Sequence, residues 1–256
     1  MKIQNLLNQK KAIGILGGMG PDASARLYQL MVEMAREEFG ARRNEEYPEI
    51  VLDSVPVPDF IADSHRAEEA LFILKDRVKK LSQLPLSCFA LACNTAHIVL
   101  VDLQTETDIP FVSLPKETVM EIVRRRYKKV GLLASPMTIA CGVYQNQLNH
   151  QGVVMVLPTA EQVEILGMCI REIVSGIFKP AKKQLLRIAD SFRKQKVEAL
   201  ILGCTELPLV FPKNYSLPVI DSLEILARTL LKIYYQKDPP SSRCDIGTTA
   251  RQREVL

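Results

Sequence analysis

Two hydrophobic patterns alternate along this chain. Short, unbroken apolar runs each lead through a turn into longer stretches whose apolar residues recur every three or four positions. The unbroken runs read as strands covered on both faces, and the longer stretches read as helices with one buried stripe. The first pair is a strand over residues 11–16 and a helix over 24–39, joined by the turn GGMGPDAS. A strand over 49–54 follows, then the loop VPVPDFIADSHRAEEA and a helix from about 68 to 81. The run 87–92 is a third strand, entering Cys93, with helix over 97–103, a short strand over 111–114 and a helix over 116–127. The pattern then restarts with a strand over 130–134, the turn SPMT, a helix from about 139 and a strand over 153–157. Helices over 161–176 and 181–195, a strand over 197–203 entering Cys204, a strand over 217–220 and a helix over 222–235 complete it. Strands alternating with helices predict an α/β fold with parallel-rich sheets.

The restart carries local echoes. GILGGMGP in the first half is matched by GLLASPMT in the second, and FALACNTA by ALILGCTE. This predicts two pseudo-symmetric Rossmann-like domains with the active site in the cleft between them. The first domain spans 1–112 plus 215–236, with the terminal strand and helix returning to complete the first sheet; the second spans 113–214. Beyond residue 237 the sequence DPPSSRCDIGTTARQREVL offers little apolar surface and reads as a mobile tail.

Composition narrows the functional classes. With 256 residues, 47% of them hydrophobic and 24% charged, the chain is an ordinary globular one. A formal charge of +4, with RRRYKK at 124–129 placed at a helix end, gives no nucleic-acid footprint. No apolar run reaches the length of a membrane span and no signal segment opens the chain, so a cytoplasmic location is expected. GILGGMG lacks the spacing of a dinucleotide fingerprint and reads better as a turn whose N–H groups hold a carboxylate.

The chemistry lies in LACNTAH, residues 91–97, and ILGCTELP, residues 201–208. Each drives a buried strand into a cysteine followed by a small hydroxyl residue and a helix start, the place where ligands sit on parallel sheets. Helix N-termini favour thiolate over thiol. Two such thiols facing one cleft can remove a proton from one face of a carbon and return one to the other. Cys88, Cys141, Cys169 and Cys244 read as small hydrophobes. A disulfide or zinc at Cys93 and Cys204 fits less well, since nothing suggests an oxidising compartment and short paired metal-ligand spacings are missing. His97, one helical turn after Cys93, either tunes the thiolate or packs beneath the loop. Asp22 and Ser24 read as caps of the first helix.

On GILGGMGP, ACNTAH, GLLAS with Thr138 and GVY, and GCTE, the chain resembles the aspartate/glutamate racemase family, in particular its aspartate racemase branch, from Ala12 to about Ile233. The resemblance implies a cofactor-independent amino-acid racemase of two pseudo-symmetric α/β domains, with Cys93 and Cys204 as acid and base. By position, Asn94, Thr95 and Thr205 match residues that hold the amino acid's α-carboxylate and amino groups. Met19 and Gly20 match the loop lining the site, and Ser135 and Thr138 occupy the second domain's corresponding turn. Lys179 matches a lysine near the side-chain carboxylate. Glu206 joins the substrate-binding set, either assisting Cys204 or stabilising the helix start. One departure is Phe60, which stands after Pro58 and Asp59 where some aspartate racemases carry arginine. His65 or Arg66 is the nearby substitute, and aspartate, glutamate and broad specificity stay open. No metal and no cofactor are expected; the partner is a small amino acid, and a homodimer is left open. Related superfamily isomerases and a non-catalytic amino-acid-binding protein are the competing readings.

Overall fold

A computed structural model describes residues 11–59 and 65–235. Phe60 and the expected tail at 237–256 lie outside the described residues. Two four-stranded sheets form, with strand orders β2-β1-β3-β4 and β6-β5-β7-β8. The first comprises β1 (Ala12–Gly17), β2 (Ile50–Ser54), β3 (Leu86–Leu91) and β4 (Phe111–Val112), and the second β5 (Lys129–Ala134), β6 (Val154–Val156), β7 (Ala199–Gly203) and β8 (Val219–Asp221). Every pairing is parallel. The central strands are buried along almost their whole length, which is why their sequences are unbroken apolar runs. Helices α1 (Pro21–Glu37), α2 (His65–Leu81), α3 (Leu100–Gln104) and α4 (Leu114–Arg124) belong to the first half of the chain. Helices α5 (Pro136–Ala140), α6 (Gln145–His150), α7 (Ala160–Val174), α8 (Phe178–Lys194) and α9 (Ser222–Tyr234) belong to the second.

The sequence echo has a packing counterpart. Gly14 in β1 and Gly131 in β5 occupy matching places, and a Cβ on either would meet a neighbouring ring: Phe89 at 2.9 Å in one case, Phe192 at 2.6 Å in the other. At each glycine the missing side chain leaves room for an aromatic ring. Burying such a ring contributes about 2 to 3 kcal/mol.

The chain exchanges its helices between the halves. After β4, α4 carries Val119 and Ile122 into a cluster with Val130, Leu132 and Tyr144 of the second half. After β8, α9 sets Leu223, Leu226 and Leu230 against Ile13, Ile15 and Leu27 of the first. The two crossing helices pack on each other. One expectation is therefore corrected. The terminal strand does not complete the first sheet; β8 pairs with β7, Leu200 opposite Val219 and Ile201 opposite Ile220. The connection after β7 returns the chain to its own sheet, as the one after β3 does for β4, and only the following helix crosses.

Other boundaries moved for local reasons. Helix α1 begins at Pro21, whose fixed φ suits a first helical position, and Gly20 is the N-cap with no side-chain cap. Asp22 and Ser24 are not caps: the Ser24 hydroxyl instead donates to Gly20 C=O at 3.0 Å and accepts from Gly18 N–H at 2.9 Å. The single helix expected from 139 is two short ones, α5 and α6, separated where Gly142 takes φ of 67°.

Candidate active site

Cys93 follows β3 and Cys204 follows β7, the two inner strands next to each sheet's short final strand. Both thiols are nearly buried, at 7% and 5% exposure. The N–H groups of Thr95 and Ala96 and the Thr95 hydroxyl turn toward the Cys93 sulfur, as helix-start geometry predicts. They do not win. Burial, with the Glu206 carboxylate adding to it, pushes the Cys93 thiol up to about 12. Burial and the same carboxylate hold Cys204 well above the ordinary thiol range. The helix-start preference for thiolate is thus outweighed, because desolvation of an anion costs more than a few N–H dipoles return.

The Cys204 thiol donates to Glu206 Oε2 at 2.9 Å. The same carboxylate accepts from the Thr205 hydroxyl at 3.2 Å and, through Oε1, from Gly20 N–H at 2.8 Å. Gly20 belongs to the first domain's turn and Glu206 to the second domain, so this buried carboxylate ties the halves together. Its own pKa is raised by burial, partly offset by the groups that donate to it.

Further bonds close the cleft. The Thr95 hydroxyl lies 2.9 Å from Ser135 Oγ and 3.1 Å from Thr138 Oγ1, which are 2.9 Å from each other. The Thr205 hydroxyl donates to Ala92 C=O at 3.3 Å. Asn94 donates to the Ser222 hydroxyl at 3.1 Å and accepts from the Tyr144 hydroxyl. Both ends of the Asn94 carboxamide are therefore engaged by protein. His97 is buried beneath the loop: Nδ1 donates to Cys93 C=O at 2.8 Å while Nε2 accepts from Leu114 N–H at 3.1 Å. Burial lowers its pKa to about 4, so it is a neutral strut for the Cys93 loop.

A cavity of about 350 Å³ opens beside this junction. Met19, Gly20, Cys93 and Thr95 line it, as do Pro58 and Asp59 of the loop after β2. Asn94, Ser135, Thr138, Cys204 and Thr205 lie behind that wall, buried among one another rather than facing the cavity. Glu206 borders a smaller void of about 10 Å³ together with Gly20 and Val174. Lys179 is not brought to the site. It is exposed in the first turn of α8, whereas the last turn of α7 delivers Arg171, Val174 and Ser175 to the cavity. Arg66 is exposed in the first turn of α2 and does not line the cavity either. Sequence reasoning missed Arg171, Tyr144 and Ser222. Arg171 was hidden because helical spacing marks it only as a polar position. Tyr144 carried a signal, since GVY was part of the resemblance, but its buried contact to Asn94 depends on the two halves closing.

Among the described residues no three histidine, cysteine or acidic side chains group as metal ligands, and no helix is long and apolar enough to cross a membrane.

A sequence model of the Asp/Glu/Hydantoin racemase family matches residues 16–230. The chain belongs to this family. It is an amino-acid racemase. The racemase is 27% identical over 227 residues to the broad specificity amino-acid racemase RacX of Bacillus subtilis, covering 87% of this chain and 97% of that protein. It is similar in structure to an aspartate racemase homologue from Pyrococcus horikoshii, at 32% identity and a TM-score of 0.72, covering 88% of this chain and 99% of that one. It is likewise similar to the Picrophilus torridus aspartate racemase, at 28% identity and a TM-score of 0.77, covering 88% and 94%.

Proposed function

We propose that the racemase interconverts the enantiomers of aspartate by two-base proton transfer between Cys93 and Cys204, without a cofactor. The observation that carries this reading is the pair of buried thiols at the ends of equivalent strands, Cys93 at the wall of the cavity and Cys204 behind it, bonded to Glu206. Burial and the Glu206 carboxylate favour the protonated form of both cysteines. A zwitterionic amino acid brings its ammonium into the dry cleft, and a positive charge beside the buried Cys204 thiol favours the thiolate, its proton passing to the Glu206 carboxylate to which it already donates. That thiolate takes the α-proton, leaving a carbanion conjugated with the α-carboxylate; the opposite thiol then gives its proton to the other face, and the two sulfurs exchange roles. Thr95, Thr205, Ser135 and Thr138 supply hydroxyls for the α-carboxylate and amino groups once the substrate parts their mutual bonds. Thiols used in this way must stay reduced, which suits the cytoplasm.

Likeness to the Picrophilus torridus aspartate racemase supports aspartate. Likeness to RacX along nearly its whole length supports a second reading, broad specificity at the same two cysteines. The deciding experiment follows chirality and α-deuterium together for a panel of pure amino acids in deuterium oxide. Cys93→Ala and Cys204→Ala are each expected to lose racemisation at least a thousandfold with the fold intact by circular dichroism, in line with removal of one of two essential proton-transfer groups. Racemisation near the parent rate in either variant overturns the two-base assignment.

A further inference from the structure

We propose that Ser222 and Tyr144 are positioning residues that hold the two cysteines in register across the domain junction. The inference rests on the racemase reading and concerns how that same site keeps its shape. Strand β8 sets Asp221 opposite Leu202 of β7, so Ser222, the next residue and the first of α9, lies beside the end of β7. The Asp221 carboxylate caps α9, accepting from Leu223 N–H at 2.8 Å and from Glu224 N–H at 3.3 Å, which fixes that first turn. The Ser222 hydroxyl then donates to Leu202 C=O at 2.8 Å and accepts from Asn94 Nδ2 at 3.1 Å. Asn94 directly follows Cys93, and Leu202 stands two residues before Cys204. One serine oxygen thus joins the two strand ends that carry the thiols.

The direction of each bond in this bridge is forced. A backbone carbonyl only accepts, so the Ser222 proton is committed to Leu202 and the serine oxygen takes the N–H end of the Asn94 carboxamide. The other end of that carboxamide accepts from the Tyr144 hydroxyl. Asn94, Tyr144 and Ser222 are all buried, where a lost partner is not replaced by bulk water. The reciprocal link is weaker. Thr205, the residue after Cys204, reaches Ala92 C=O, just before Cys93, at 3.3 Å, and shares its one hydrogen with Glu206. Substrate parts the Thr95 hydroxyl cluster, whereas the Asn94 bridge lies behind the cavity wall and keeps its partners. Moving a proton from one face of a carbon to the other requires both sulfurs at fixed places, and an error of about 1 Å costs on the order of 100-fold.

The test separates inversion from exchange. A pure L-amino acid that the parent turns over is incubated in deuterium oxide, and early rates are read for appearance of the D-enantiomer and for α-deuterium in the remaining L-enantiomer. A thiol that has lost its opposite number still removes the proton and returns a deuteron to the same face, so misplaced sulfurs raise exchange with retention relative to inversion. Ser222→Ala is expected to lower kcat for inversion roughly 10- to 100-fold with KM changed less than about threefold, and to raise the exchange-to-inversion ratio at least about fivefold. Tyr144→Phe, which keeps the ring and removes one oxygen, should move the ratio the same way by less, and supplies the same readout if Ser222→Ala is insoluble. The double variant should lose no more than about the larger single loss, since the two hydroxyls act through one carboxamide. Ser222→Thr, which restores the hydroxyl, should bring the ratio back toward the parent. The ratio is read per turnover, so a smaller folded fraction does not change it. A parent-like ratio in both single variants, or a loss confined to KM, would overturn the proposal while leaving the racemase reading standing. A parent that neither inverts nor exchanges any amino acid of the panel would refute the racemase reading, and the proposal with it.

Discussion

His97→Gln offers a quantitative check on how the Cys93 loop is held. The imidazole joins two buried backbone groups, Cys93 C=O through Nδ1 and Leu114 N–H through Nε2. A proton on Nε2 would face the Leu114 N–H, and burial already disfavours the charged ring, so its pKa falls from 6.5 to about 4. The sign follows from the lowered value. Between those two pKa values the unfolded chain binds the proton that the folded one refuses. The stability owed to the neutral ring is thus present above the unfolded pKa and is lost as pH falls toward the folded one. At about pH 5 this difference amounts to about 2 kcal/mol, against almost none at about pH 7.5. A glutamine reaches only one of the two backbone partners, so the variant should be less stable by about 1 to 3 kcal/mol near neutrality. Urea unfolding of both proteins across that range should show the gap closing by about 2 kcal/mol toward the acid end. Glu206 and Asp221, whose pKa values are raised by burial, titrate in both proteins and cancel in the difference. A gap that stays constant with pH would refute the assignment of His97 as a neutral buried strut.

Glu206→Gln should lower the pH at which Cys204 is alkylated by iodoacetamide, read by mass spectrometry, because the carboxylate adds to burial in holding that thiol up; an unchanged or raised midpoint would contradict this. Phe192→Ala, which empties the space beside Gly131 under a fully buried ring, should cost about 3 to 5 kcal/mol in urea unfolding. A loss below about 1 kcal/mol would mean that the second sheet recloses over the gap.

Much of the fold was legible because strands buried on both faces must be unbroken apolar runs, and because the second half repeats the first. GILGGMGP and GLLASPMT became β1 and β5 with their turns, and LACNTAH and ILGCTELP marked the strand ends that carry Cys93 and Cys204. Those signals are local: they depend on a residue's own neighbours in the chain. The placement of β8 beside β7 was not legible, since a short strand pairs with whichever edge is open, and its helix then crosses to the other half. The balance of forces on the cysteines was not legible for a related reason. A helix start is visible in sequence, but the dry surroundings and the Glu206 carboxylate that outweigh it arise only when the two domains meet. The same holds for Arg171 and Lys179. They lie eight positions apart on successive helices and both are exposed, and only the packing of α7 against the β5 turn decides that the first borders the cavity and the second does not. Covalent order determines which residues share a strand or a helical stripe; charge, solvation and reach across a cleft are properties of the assembled pair of sheets.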